Sequence, residues 1–289
     1  MLEADLFRLQ RIAAGCASVF LLPFIGLGLW VALHAAGKAE WVGAVAGGSF
    51  VAFGAAAMAT IYFALRRAQA ALQLRARHRD APWLWRADWA AGVAKEPLGA
   101  LANLWVLGIL WSLISATAAY IVFRDVSRGN YLGLFALIFP AIGAGVVGVA
   151  TYRTLRLRKF GRSVCRFGKV PVQPGRTFSG ETAMRLREIP PEGLALRLVC
   201  VRLDTQGGGR HTSVKETVLW EDARRIAASG IASSGDAVRV PFSFSIPGDA
   251  PVTQMTAFRT RTVWRLEVTA QLTGIDYAAR FDVPVFQAT

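Results

Sequence analysis

The sequence predicts a helical membrane bundle of four spans followed by an all-β sandwich. The chain has 289 residues, is 54% hydrophobic and has a mean hydropathy of +0.38, which is too apolar for an ordinary soluble protein. Long apolar stretches fill its first half, and segments of alternating apolar and polar residues fill its second half. A cationic run separates the two halves. We therefore expect two domains, residues 1–160 and residues 161–289.

Each of the four apolar stretches is long enough to cross a bilayer as a helix. About 20 apolar residues span the roughly 30 Å hydrocarbon core, and these stretches have no Asp, Glu, Lys or Arg between their ends. They are residues 12–36, 41–65, 98–123 and 131–152. The first stretch exceeds the roughly 7 to 15 apolar residues of a signal peptide, so we expect it to be retained as a helix.

The lysines and arginines between the spans predict the orientation. Two precede the first span and seven lie in the loop 66–97 between the second and third spans, whereas the opposite side holds three. Positive residues favour the cytoplasmic side. We therefore expect the amino terminus, this basic loop and the whole sandwich to be cytoplasmic.

The net charge of +14 is concentrated beside the predicted membrane. Residues 153–169 carry seven basic and no acidic side chains, whereas residues 170–289 carry 14 basic and 12 acidic ones. Such a run indicates contact with anionic lipid headgroups. The candidate headgroup contacts are Arg153, Arg156, Arg158, Lys159 and Arg162. A nucleic-acid surface would need the charge on the folded domain, so no nucleic-acid partner is expected.

The basic loop contains the string PWLWRADWAAG at residues 82–92. If the segment after Pro82 is helical, Trp85 and Trp89 share one face. We expect a short helix in the headgroup zone, and the alternative is an aromatic patch that binds a partner. The candidate residues of this patch are Trp83, Trp85, Arg86, Asp88 and Trp89.

Alternating residues predict about seven short strands in the second half. They cover residues 163–167, 177–187, 194–203, 213–220, 238–246, 262–272 and 275–285. The last two should form an antiparallel hairpin around Thr273 and Gly274, with Trp264 facing inward. Residues 221–225 are expected to form a solvated turn or short helix. This number of short strands is typical of an immunoglobulin-like or arrestin-like sandwich.

The order of these features resembles a known family. The string at residues 82–92 after two spans, followed by two more spans and a β-rich tail, resembles uncharacterised multi-pass inner-membrane proteins of Gram-negative bacteria. This resemblance covers nearly the whole chain. It implies a multi-pass protein of the bacterial inner (plasma) membrane, and it implies no activity. The cytoplasmic location of both termini is expected from the lysine and arginine distribution.

The tail separately resembles a single arrestin-like lobe. The segments that carry this resemblance are residues 175–180, 218–221, 241–247, 264–267, 276–277 and 281–286. Arrestin-like proteins have two lobes and recognise cytoplasmic tails of membrane proteins. Only one lobe fits here, so the role transfers by analogy alone.

Groups able to perform chemistry are scarce in the sequence. His78 and His211 have no closely spaced ligand partners, so no metal site is expected. The glycine run at residues 206–210 lacks the Lys-Ser/Thr of a phosphate-binding loop and is expected to be a flexible loop. Cys165 and Cys200 fall in predicted strands and are expected to be buried free thiols. We expect neither a catalytic site nor a cofactor.

The sequence therefore predicts a membrane-anchored interaction or scaffolding module, as an adaptor or accessory subunit of a larger inner-membrane complex. The expected partners are membrane lipids and another membrane protein or its cytoplasmic tail. Small-residue pairs such as Gly43 and Gly47 suit packing within the bundle or a homo-oligomer. The alternative is a transport or channel component in which the bundle is functional, although the spans offer few polar side chains beyond Ser49, Thr60, Ser112, Ser115 and Thr117.

Overall fold

The chain forms two compact units in a computed structural model, which describes residues 2–38, 40–96, 99–126, 132–206, 213–234, 236–255 and 260–287. The first unit comprises Met1–Leu72 and Leu98–Thr154, and the second comprises Gln73–Pro97 and Leu155–Thr289. Most of the basic loop therefore belongs to the unit that contains the strands, because it contributes a strand to one sheet.

Five α-helices cover most of the described first half. They are α1 (Leu2–Gly37), α2 (Trp41–Arg77), α3 (Ala87–Ala90), α4 (Gly99–Val126) and α5 (Ile138–Phe160). Among the described residues, three stretches are long and apolar enough to cross a membrane: Ser18–Gly37, Trp41–Arg77 and Ile138–Phe160. Only 11% to 17% of the apolar part of each stretch is buried within the chain, so the large apolar side chains of these stretches face outward. The apolar part of α4 found among the described residues, Leu101–Ala116, is shorter.

The stretch predicted as a single span at residues 131–152 is divided in the structure. Leu132–Leu137 forms a 3₁₀ helix, and α5 begins only at Ile138. Pro140 therefore lies in the first turn of α5 and not in mid-span. The first turn of a helix has no intrahelical acceptor for its N–H groups, so a proline is tolerated there without breaking a hydrogen bond.

Glycines bring α1 and α2 close together. A Cβ added at Gly47 would collide with the backbone of Gly28 and Ala32, so this glycine serves packing within the chain. Between α4 and α5, the Trp105 indole donates to Thr154 Oγ1 at 2.9 Å and the Trp111 indole donates to the Phe139 carbonyl at 2.8 Å. These contacts pack α1 against α2 and α4 against α5.

The second unit contains two antiparallel sheets. The strands are β1 (Val93–Lys95), β2 (Val164–Phe167), β3 (Thr177–Arg185), β4 (Leu194–Gln206), β5 (Ser213–Ile226), β6 (Ala232–Ser234), β7 (Ala237–Ser245), β8 (Thr260–Ala270) and β9 (Tyr277–Val283). The first sheet has the order β1-β2-β3-β7-β6 and the second has the order β5-β4-β8-β9. The two sheets share one apolar core, which makes the unit a β-sandwich.

The predicted alternation is confirmed in the strands that form this core. In β7, Val238, Val240 and Phe244 are buried, while Arg239 and Ser243 between them are exposed. Trp264 in β8 is fully buried, as its position in the alternation predicts. The expected β8–β9 hairpin is also present, with Ala270 opposite Tyr277.

Three features of the second unit differ from the prediction. Residues 221–225 are not a turn, because β4 is long enough to pair β5 as far as Ile226, opposite Leu194. The register shifts by one residue at Leu219, which forms a bulge between Val218 and Trp220. The sequence also missed the three-residue strands β1 and β6. Residues 207–210 of the predicted glycine loop, and His211, lie outside the described residues.

Candidate functional site

The tryptophan loop folds as three short elements and not as the expected single helix. Pro82 starts a 3₁₀ turn that ends at Trp85, and Arg86 adopts an extended backbone conformation before α3 begins. The strand β1 follows and pairs with β2. Trp85 and Trp89 therefore belong to different elements, and the shared helical face that the sequence predicted does not form.

Trp89 is part of the sandwich core. Only 3% of the residue is exposed, and its indole N–H donates to the Asp282 carbonyl at 3.1 Å. Its ring meets Phe286 edge-on with 6.2 Å between the ring centroids, and Trp83 contacts the same phenylalanine at 5.9 Å. The rings of Trp83 and Trp89 thus cover one part of the sandwich core, although their loop precedes β2 to β9 in the sequence.

Arg86 binds Asp88 within the loop and joins the loop to β9 through Asp282. Its guanidinium lies 2.7 Å from Asp88 Oδ2 and 2.8 Å from Asp282 Oδ2, and it stacks 4.3 Å from the centroid of the Trp89 ring. Burial alone would lower the pKa of Arg86, but the hydrogen bonds and charges of Asp88 and Asp282 outweigh burial and raise it. Arg86 therefore stays charged and orders the loop.

These contacts reduce the number of side chains that the predicted aromatic patch can expose to a membrane or a partner. The Trp89 ring is withdrawn into the core, and Trp83 and Trp85 are half-buried. The Trp85 indole donates to the His78 carbonyl at 2.6 Å. A role at a membrane interface or with a partner stays a prediction, and it now concerns the partly exposed Trp83, Trp85, Arg86 and Asp88.

The candidate headgroup residues divide into two groups. Arg156 forms an ion pair with Glu96 at 3.6 Å, Lys159 Nζ donates to the carbonyls of Thr273 and Ile275, and Arg162 Nε donates to the Glu96 carbonyl at 3.2 Å. These three side chains bind groups of the second unit. Arg153 and Arg158 are exposed. Their contact with lipid headgroups stays a prediction.

Charged side chains cover the outer face of the second sheet. Arg197 on β4 bridges Glu221 on β5 and Glu267 on β8, and Glu267 also pairs with Arg280 on β9 at 3.0 Å. The hydrogen bond that Arg197 donates to Glu221 is the main reason that the pKa of Arg197 is raised. Arg265 on β8 pairs with Glu216 at 3.0 Å, nearer the start of β5. These ion pairs link the end strand β5 to β4 and β8.

The strand β5 is the end strand of its sheet and pairs only with β4 among the described strands. It has 14 residues, and its first six are exposed. Val214 and Val218 are 57% and 49% exposed, which is unusual for valines in a strand. An open edge of this length can accept a further strand. Residues 213–217 are mostly polar in the sequence, as in an exposed strand. The sequence alone does not show that β5 is the end strand of its sheet.

The buried thiols are confirmed and have no feature of reactive cysteines. Cys165 and Cys200 are both buried and free, and burial raises the pKa of both thiols, to about 11 for Cys200.

Within the described part of the chain, no group of three or more His, Cys, Asp or Glu could hold a metal ion. A cleft of about 280 Å³ beside β9 is lined in part by Glu192, Arg225 and Tyr277.

No protein-family model matches this chain, and no curated protein matches it. Among solved structures it is similar to the crystal structure of Spo0M, a sporulation control protein from Bacillus subtilis, with 15% sequence identity and a TM-score of 0.30. The match covers 44% of this chain and 49% of that one, so this chain spans about half the length of that protein. Likeness at this level identifies neither a family nor an activity.

Proposed function

We propose that this chain is a membrane-anchored protein-interaction module, in which a four-span bundle holds a cytoplasmic arrestin-like sandwich that binds an extended segment of another membrane protein. The host membrane would be a bacterial inner membrane, with both termini cytoplasmic. The outward-facing apolar side chains of the three long apolar stretches support insertion, and the lysine and arginine distribution supports the orientation. Such a module would act as an adaptor or accessory subunit.

The open edge formed by residues 213–218 is the observation that carries this proposal. Residues directly opposite each other in an antiparallel pair lie on the same face of the sheet. Val218 faces Val201 and Glu216 faces Leu203, so both lie on the outer face of the sheet and not in the sandwich core. Among the described strands, β5 has no partner other than β4, and its free edge lies beside the exposed Val214 and Val218.

A partner segment that pairs with this edge would be extended and would carry apolar side chains at alternate positions. Backbone hydrogen bonds would supply much of the affinity, and contacts with Val214 and Val218 would supply the preference for apolar side chains. Glu216 between them already pairs with Arg265 within the chain, so the two valines set the preference. The resemblance to an arrestin-like lobe supports a cytoplasmic tail of a membrane protein as the source of such a segment.

The side chains of the bundle give less support to a transport or channel role. Ser49 donates to the Val45 carbonyl, Thr60 to the Ala56 carbonyl and Ser115 to the Trp111 carbonyl, each at 2.8 Å. A hydroxyl bonded to the preceding turn of its own helix is already satisfied. We therefore place the function on the sandwich.

Affinity purification of the full-length protein from native membranes in mild detergent tests the proposal. A specific partner should co-purify with the wild type and should be lost when residues 170–289 are deleted. The double substitution Val214→Lys and Val218→Lys should also abolish its recovery, because two lysines on the edge repel a docking strand. Ile189, an exposed isoleucine outside the strands, supplies the matched control Ile189→Lys. Recovery of every partner by the deletion variant or the double variant would overturn the proposal.

A further inference from the structure

The second half of β5 carries a charge pattern that is complementary to itself. After the bulge at Leu219, the strand reads apolar, negative, negative, small, positive, positive, apolar. The residues are Trp220, Glu221, Asp222, Ala223, Arg224, Arg225 and Ile226. Reversing the direction of this segment exchanges every negative charge for a positive one. An antiparallel copy of the same segment is therefore its electrostatic complement.

We propose that two copies of this chain pair through residues 220–226 of β5, antiparallel and centred on Ala223. In this register, Glu221 lies opposite Arg225 of the second copy and Asp222 lies opposite Arg224 of the second copy. Opposite charges directly across two antiparallel strands stabilise the pair. The contact is isologous, so the same two pairs occur twice. The two second sheets then join into one continuous sheet.

The charge pattern selects this register over its neighbours. A shift of one residue in either direction leaves only one carboxylate of each copy opposite a guanidinium. A shift of two residues places Asp222 against Asp222, or Arg224 against Arg224. Since like charges directly opposite each other are destabilising, only the centred register satisfies all four charges of each copy.

The segment is free to make these contacts. The side chains of Glu221, Arg224 and Arg225 are 52%, 49% and 66% exposed. Arg224 approaches Asp222 at 3.5 Å and Arg225 approaches Glu192 at 3.6 Å within the same copy, and exposed pairs at such distances contribute little. A second copy would therefore compete with weak pairs at Arg224 and Arg225. It would add a second cation to Glu221, which already pairs with Arg197 within the same copy.

The inferred dimer and the proposed partner site use different parts of the edge. The chain leaves the strand after Ile226, so self-pairing cannot extend to residues 213–218 on the other side of the bulge. That part of the edge stays open in the dimer. The inference therefore goes beyond the proposed function and does not depend on it, and either can fail alone.

Charge reversal in the full-length protein tests the dimer. Two differently tagged copies are co-expressed, and recovery of one with the other is measured in detergent. The variant Arg224→Glu with Arg225→Glu makes all four charges negative, and Glu221→Lys with Asp222→Lys makes all four positive. Recovery should fall about tenfold or more for either variant with itself, because every attractive pair becomes repulsive. Mixing the two variants should restore recovery, which also shows that both have folded.

Oxidative cross-linking supplies a second measurement. Ala223 faces itself across the two-fold axis, at a Cα separation of roughly 4.5 to 5.5 Å for directly opposed residues, which a disulfide can bridge. In a Cys16→Ser background, Ala223→Cys should give a covalent dimer, and Thr217→Cys beyond the bulge should not. Absence of wild-type co-recovery, undiminished pairing of either charge variant with itself, failure of the mixture to recover, or cross-linking at Thr217→Cys alone would each overturn the inference.

Discussion

Substitution of Trp89 tests whether the tryptophan loop is part of the sandwich core. The side chain is almost fully buried, and truncating a buried tryptophan to alanine costs roughly 3 to 5 kcal/mol. Trp89→Phe keeps most of the apolar contact with Phe286 but leaves the Asp282 carbonyl without its donor, a loss of about 1 kcal/mol. We therefore expect a graded series, with alanine several-fold more costly than phenylalanine.

The second unit can be measured in solution as one polypeptide. Residues 73–96 would be joined by a flexible Gly/Ser linker to residues 155–289, which leaves out the remaining helical segments. A short linker is enough, because the Glu96 carboxylate lies 3.6 Å from the Arg156 guanidinium. Chemical denaturation followed by tryptophan fluorescence and circular dichroism would then give the free energy of unfolding for each variant.

The control is Ile189→Ala, since this side chain is 43% exposed and its loss should change stability by less than about 0.5 kcal/mol. If Trp89 lay at a membrane interface, removing its ring from the water-soluble unit would be no more costly than the control. A Trp89→Ala protein as stable as Ile189→Ala would therefore refute the assignment of this loop to the core.

Three further predictions can be tested, two from the structure and one from the lysine and arginine distribution. Trp264→Ala should lower the free energy of unfolding of the second unit by roughly 3 to 5 kcal/mol, because its ring is fully buried against Trp220 and its indole donates to the Pro251 carbonyl at 2.7 Å; an unchanged unfolding midpoint would contradict this. The raised pKa of Cys200 means that the folded state holds the thiol proton more tightly than the unfolded state, so its contribution to stability is complete below pH 9 and is lost as the pH rises towards about 11. Cys200→Ala should lose less stability than the wild type over that interval, and equal losses would show that the thiol does not contribute. Reporter fusions after Arg67, Lys159 and Thr289 should report the cytoplasm and one within residues 124–130 the periplasm; an active periplasmic reporter at Thr289 would reverse the predicted orientation.

The strands that follow the predicted alternation most regularly are those with one face in the core and one in water. In β7, β8 and β9 this arrangement places an apolar residue at every second position, so the sequence pattern and the structural pattern coincide. Trp264 could be assigned to the interior for this reason. The alternation depends only on each strand and its own two faces, and so it can be read without knowing the partner strands.

Structural features that depend on residues distant in the sequence could not be predicted from such local patterns. Residues 221–225 contain four charged side chains and look like a turn, but they form a strand because β4 extends beside them and Arg197 neutralises Glu221. The strand β1 has only three residues, too few for a periodic pattern. Trp89 is buried by Phe286, a residue nearly 200 positions away, and no local signal distinguishes this packing from an interfacial ring.

The position of β1 in the chain has a consequence for folding. This strand is synthesised before α4 and α5, yet its partner β2 lies after both helices, with Ala94 opposite Cys165. Its neighbour Trp89 contacts residues still closer to the carboxyl terminus. The first sheet is therefore completed only after both helices and the remaining strands have been made, which links the maturation of the sandwich to the synthesis of the whole helical region.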